Sequence, residues 1–201
     1  MRTSAPPLLP ILRSQLVAEL LAAFLLHPEH EYTLGELAQL TNNSISTVTR
    51  DVNRLAESGL VTERQVGRSR ILTTSQDHPY IRPLTEMISH SFGPATVIAE
   101  EFAGFGLGAS VAVFGSWAAR YTGTSGPTPQ DVDVLIVGTA TRSEIYDAAE
   151  RAEARLYRMP VNPVHCSRER WFAATDALIQ SVHARPLVWV VGSEPQEADK
   201  P

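Results

Sequence analysis

The sequence predicts an α+β chain: a helical N-terminal domain closed by a β-hairpin, then an α/β domain built on a mixed sheet. Three observations predict it. Apolar residues recur at helical spacing through residues 11–57, in three segments separated by Pro28 and by Thr41-Asn42-Asn43. Two short β-rich runs then lie on either side of Gly67. Beyond residue 107, apolar runs of strand length alternate with helical patterns, as they do where helices cover a sheet.

The first helix is expected over residues 11–26. Leu12, Leu16, Leu20 and Phe24 step by four, with Leu21 and Leu25 alongside, and Pro28 ends it. Thr33 is placed to cap a second helix, with Glu36 as its capping-box partner and Leu34, Leu37, Ala38 and Leu40 as its apolar positions. Ser44 starts a third helix with Ile45, Val48, Val52 and Leu55 as its inner face, and Gly59 stops it. Leu60-Val61-Thr62-Glu63-Arg64 and Arg70-Ile71-Leu72-Thr73 form a hairpin around Gly67-Arg68-Ser69. Residues 79–105 carry a helical pattern broken at Gly93-Pro94, read as two linker helices. Strands follow at 111–114, 132–137, 161–166 and 187–191, with helices at 142–158 and 167–181, a helix start at 117–121 and a Gly/Pro/Thr loop over 122–130. The domains are 1–76, a linker 77–106, 107–193 and a loose tail 194–201.

Length and composition bound the function. The 201 residues suffice for two small domains, and 43% apolar with 19% charged residues is a globular balance. Cys166 is the only cysteine, so no internal disulfide forms and nothing marks an oxidising compartment. The first ten residues hold three prolines and no apolar core of a signal peptide. The longest apolar stretch, 16–26, contains Glu19 and is too short to span a bilayer. The expected location is the cytoplasm, with no membrane partner. A net charge of −5 excludes a uniformly basic nucleic-acid binder, but its distribution is uneven. Residues 1–75 carry seven Arg and seven acids, and residues 44–75 five Arg against three acids.

The third helix is the candidate reader of DNA. Its outer positions offer Ser44, Ser46, Thr47, Thr49, Arg50, Asn53 and Arg54, side chains that bond base edges or phosphates. Arg68 and Arg70 flank the hairpin turn, where a wing rests on the phosphate backbone. Three helices and a hairpin in this order make a winged helix-turn-helix. The stretches Leu34-x-x-Leu37-Ala38, Ser46-Thr47-Val48-x-Arg50, Leu55-x-x-x-Gly59-Leu60-Val61 and Gly67-Arg68-Ser69-Arg70 resemble winged-helix regulators of the ArsR and MarR type, over roughly residues 11–74. The resemblance implies binding of double-stranded DNA as a homodimer, with the first helix and the linker helices as the dimer surface. Metal sensing of the ArsR type is not implied, because Cys166 is far from this domain.

The second half holds another constellation. Val113-Phe114-Gly115-Ser116 is followed by Asp131-Val132-Asp133 at the head of an apolar run. A glycine at a strand end admits a phosphate close to the backbone, and a hydroxyl at a helix start favours an anion. Asp131 and Asp133, two residues apart, face one side of the sheet and can hold Mg²⁺. The ordered combination resembles the minimal nucleotidyltransferase domain of the DNA polymerase beta superfamily, over roughly residues 107–191. The resemblance implies that Gly115 and Ser116 contact a nucleoside triphosphate, that Asp131 and Asp133 are the catalytic metal ligands, and that Arg120 lies near the phosphates. Active members place a third carboxylate on a later strand, and that position falls here on Asn162. An amide can offer an oxygen to a metal but carries no charge and serves as no base. His165 is read as an edge or surface residue, and Cys166, Trp171, Phe172 and Trp189 as packing.

The expected protein is a DNA-binding transcriptional regulator whose second domain binds Mg-NTP as a signal or is degenerate. The alternative is an active nucleotidyltransferase that modifies a protein or nucleic acid, in the manner of antitoxins that act on a partner toxin. Asn162 leaves the question of activity open. The operator, the nucleotide base and the acceptor are not written in the sequence.

Overall fold

Ser14 opens the first helix by accepting a hydrogen bond from Val17 N at 3.3 Å, and the chain enters α1, Gln15–Leu26. In this computed structural model, which describes residues 12, 14–105, 108–124 and 126–196, the chain is mixed α and β with two separate sheets. It divides into two units between Gly93 and Pro94, so one of the two helices read as linkers falls in each. Among the described residues no helix is long and apolar enough to cross a membrane.

In the first unit α1 is apolar on nearly every side and buried accordingly, packed with α4, Ile81–Phe92. Nine of its twelve residues are covered within the chain, which leaves Gln15, Val17 and Glu19 as the positions of α1 open to solvent. Its last carbonyls, which no helical N–H can reach, are met from elsewhere. Tyr32 Oη donates to Ala23 O at 3.2 Å, and Thr74 Oγ1 donates to Phe24 O at 2.6 Å.

The capping box forms as expected. Thr33 Oγ1 accepts from Glu36 N at 3.2 Å, and Thr33 N donates to Glu36 Oε2 at 2.7 Å, opening α2, Leu34–Leu40. Thr33→Ala is expected to cost about 1 kcal/mol, read as a lower urea midpoint at unchanged slope. Ser44 caps α3, Ile45–Glu57, and Gly59 ends it at φ +80. There Gly59 N donates to Ala56 O at 2.9 Å and Leu60 N to Leu55 O at 3.1 Å, the paired bonds of a Schellman stop. The predicted inner face needs one correction. Val48 and Val52 are buried, but Ile45 is 56% exposed and Asp51 is buried in its stead. Ile45 lies in the first helical turn, which the elements covering Val48 and Val52 leave open.

The hairpin is longer than predicted. β2, Val61–Val66, and β3, Ser69–Thr74, close around Gly67-Arg68, with Ser69 inside the strand. Gly67 at φ +59 supplies the positive φ that a two-residue hairpin turn needs. A two-residue strand, β1 (Tyr32–Thr33), joins the other edge of β3, giving the order β1-β3-β2.

The second unit starts with α5, Pro94–Glu101, and a 3₁₀ turn, Ala103–Phe105. Its sheet runs β6-β5-β4-β7, from β4, Ala109–Phe114, β5, Val132–Gly138, β6, Val161–Cys166, and β7, Val188–Val191. β4 is antiparallel to β5 and β7, whereas β5 and β6 are parallel. Parallel neighbours need a crossover, which α7, Arg142–Arg155, provides. The helix expected to reach residue 158 ends at Arg155 because Tyr157 and Arg158 turn to φ +54 and +65.

Strand alternation sorts the core into two layers. Ala112, Phe114, Leu135, Val137 and Cys166 face α8, Arg168–Ala173, and α9, Ala177–His183, through Trp171, Ile179 and Val182. The helix predicted over 167–181 is these two pieces. Ala174 adopts a left-handed conformation at φ +44, and Asp176 caps the second piece by accepting from Ile179 N at 3.0 Å. Arg170 and Asp176 pair across the break at 2.9 Å.

Candidate functional site

Helix α6, Gly115–Tyr121, begins where β4 ends, and Asp131 and Asp133 stand at the start of β5 beside it. The register sets Phe114 opposite Asp133 and Asp133 opposite Asn162. Asp133 and Asn162 therefore lie on the sheet face that α8 and α9 cover further along. Asn162 Nδ2 donates to Asp131 Oδ2 at 2.9 Å, so the amide bridges toward the carboxylate pair. Partial burial, reinforced by the charge of Asp131, raises the Asp133 carboxyl above the ordinary aspartate value, while the Asn162 amide and Arg185 act in the opposite direction.

Gly115 makes this arrangement feasible. A Cβ built there would overlap Asp133 Oδ2 and lie 3.2 Å from Asp133 Cγ. The residue also sits at φ +68, where side chains are strained. The absence of a side chain is thus used twice, once for the backbone turn and once to seat the carboxylate. Ser116 is exposed in the first turn of α6, and its hydroxyl makes no hydrogen bond to another described residue.

Two arginines border the pair differently. Arg120 is turned onto the loop over residues 122–130: its guanidinium donates to Thr124 O and, at 3.1 Å, to Pro127 O. Gly126 leaves room for it, since a Cβ there would overlap the Arg120 guanidinium. Arg120 therefore orders the loop that leads into Asp131. Arg185, just beyond α9, is exposed, makes no ion pair with another described residue, and acts electrostatically on Asp133. Arg185 was missed from sequence because it lies more than fifty positions from Asp133 and only the fold brings its charge near.

The residues available for a metal are two carboxylates and one amide. Among the described residues, no group of three or more His, Cys, Asp or Glu side chains is placed to hold a metal ion. That falls short of a two-metal set but fits one Mg²⁺ shared with phosphate oxygens and water, which needs only one or two protein carboxylates. His165 sits at the surface as expected, its Nε2 2.9 Å from Gly138 O. Cys166 is buried, and burial pushes its thiol up to about 11, in keeping with packing.

The first unit presents a second candidate surface along α3. Ser46, Arg50 and Arg54 are exposed, and Thr47, Thr49 and Asn53 are half-buried. Ser44 is occupied as the helix cap, accepting from Thr47 N at 3.3 Å. Arg50 Nε and Arg54 Nη1 each lie 3.3 Å from Asp51 Oδ1. Asp51 thus tethers two exposed guanidinium groups from beneath, a role that a helical wheel assigns to no residue. On the hairpin Arg70 is paired with Glu63, and Arg64 with Glu31 at 2.6 Å. Arg68, at the turn, makes no ion pair with another described residue.

No family model matches this sequence, and comparison with curated proteins and with solved structures finds no match either. The functional reading accordingly rests on the residues and their geometry.

Proposed function

We propose that this chain is a cytoplasmic DNA-binding transcriptional regulator whose second unit binds a nucleoside triphosphate with Mg²⁺ as its signal. In this reading the first unit is a winged helix-turn-helix acting as a homodimer. α3 enters the major groove and the β2–β3 turn rests on the phosphate backbone, with Arg68 as its free cation. The second unit is a nucleotidyltransferase-like domain. The observation that carries the nucleotide reading is the seating of Asp133 against Gly115, beside Asp131 and Asn162. Asp131 and Asp133 would hold the cation, the Asn162 amide would turn to offer Oδ1, and Ser116 and Arg185 would meet the phosphates. The bound Mg²⁺ would neutralise phosphate charge beside the two carboxylates.

The test is the melting temperature of the full chain with each nucleoside triphosphate, with and without Mg²⁺. A ligand at a hundred times its Kd adds about 2.7 kcal/mol to the folded state. A Mg²⁺-dependent rise is expected in wild type and none in Asp131→Asn/Asp133→Asn. The rise should fade on acidification at a pH above that of an ordinary aspartate. Asp133 is raised, so its folded form gains a proton, and loses its affinity for a cation, earlier than a free carboxylate does. No shift with any nucleotide would sink the sensor reading. Binding is linked reciprocally, so the same nucleotide should change affinity for duplex DNA.

The elevated Asp133 carboxyl favours one second reading. A carboxylate of raised basicity is better suited to take a proton from an attacking hydroxyl. The acceptor hydroxyl of a partner, a toxin protein among the candidates, would then attack the α-phosphorus of the triphosphate, with pyrophosphate leaving and the nucleotidyl group transferred. Labelled-nucleotide incorporation that disappears in Asp131→Asn is its expected signature.

A further inference from the structure

Ile45 stands out on α3. It is 56% exposed, whereas Val48 and Val52 on the same helix are fully buried. A lone exposed apolar residue is ordinary on a protein surface, and the surroundings give this one meaning. One turn further on, Thr49 is its i+4 neighbour. Thr49 Oγ1 donates to Ile45 O at 2.7 Å, so that hydroxyl proton is committed to the helix. The Ser44 hydroxyl lies 3.0 Å from Ser46 Oγ and 2.9 Å from Thr47 Oγ1 and also serves as the cap. The polar groups around Ile45 are thus bound to one another. Ile45 is the one large apolar side chain that this turn exposes.

The charge beside it is positive. Arg50 and Arg54 extend outward with side chains 63% and 70% exposed, and the one carboxylate between Ser44 and Arg54, Asp51, is buried. A protein partner for an isoleucine needs no flanking cations, whereas a polyanionic duplex does. In the major groove the hydrocarbon on a base edge is the C5-methyl of thymine, and small apolar side chains read it. The first turn of a recognition helix is also the part that meets base edges.

We propose that Ile45, with the Thr49 methyl beside it, reads thymine methyl groups, making it a specificity residue of the DNA site. This rests on the DNA-binding reading above and deepens it.

The experiment separates the two. A duplex is selected from a randomised pool with the wild-type full chain. Its affinity is measured by fluorescence anisotropy at fixed salt, with thymines present and then replaced singly by deoxyuridine, which removes only the methyl group. Wild type should lose about fourfold for each contacted methyl, the factor expected for one buried methyl-sized group. Ile45→Ala should bind the thymine duplex at least about fourfold more weakly and be indifferent to deoxyuridine. Ile45→Val should fall between them. Melting temperatures of both variants check that the fold is kept. Arg50→Ala should weaken binding yet preserve the thymine-to-uracil ratio. Equal wild-type affinity for both duplexes, or a ratio that survives Ile45→Ala, overturns the inference and leaves DNA binding standing. Failure to enrich any duplex overturns both.

Discussion

Trp171→Ala is expected to remove about 3–5 kcal/mol from the second unit, the usual range for deleting a fully buried tryptophan. Trp171 is 2% exposed in the layer formed by Ala112, Phe114, Leu135, Val137, Cys166, Ile179 and Val182. Its ring stacks on His183 with centroids 3.8 Å apart and meets the edge of Trp189 at 6.0 Å. A loss of this size takes a large share of the 5–15 kcal/mol that typically holds a domain together. Calorimetry should show one transition falling by on the order of 10 °C or more while a second stays in place. A single transition that barely moves would mean that the layer is not the core described here. Trp171→Phe should recover much of the loss.

Gly115→Ala is the sharpest test of the carboxylate site. The added Cβ must displace Asp133, and the left-handed backbone adds roughly 1–2 kcal/mol of strain. The expected result is a lower melting temperature and complete loss of the Mg-NTP shift. Gly123 is the matched control. It has φ +88, but a Cβ there meets nothing within 4 Å. Gly123→Ala should carry the backbone cost and keep the shift. If both variants respond to nucleotide, Gly115 does not seat a functional carboxylate.

The parts of the fold that were legible in the sequence are those with local chemistry. Thr33 and Glu36 announce a capping box three residues apart, Gly59 announces a helix stop, and the apolar runs of β4 and β5 announce buried strands. What escaped depends on neighbours distant in sequence. β1 is two residues long, too short to show alternation, and exists because the chain passes β3 on its way into α2. The break at Ala174 has no Gly or Pro to mark it; Arg170 and Asp176 hold it instead. The periodic pattern put Ile45 on the inner face of α3, where Asp51 is buried instead, because period alone does not say where the covering elements end. At the candidate site the Gly-Ser and Asp-x-Asp pattern pointed to Gly115, Asp131 and Asp133, and the family resemblance put the third-carboxylate position on Asn162, which the sheet register sets opposite Asp133. The reach of Arg185 and the engagement of Arg120 with its loop required three dimensions.

The solitary thiol at the end of β6 has a practical corollary. Cys166 is covered and, pushed up to about 11, carries almost no thiolate near neutrality, so a thiol-directed dye finds neither access nor a nucleophile in the closed protein. With no other sulfhydryl in the chain, colour develops only in molecules whose second unit has opened. Where reclosing is fast, the labelling rate tracks the open population, and any ligand that favours the closed form slows it. The unaltered chain thus contains its own chemical clock for breathing of the sheet.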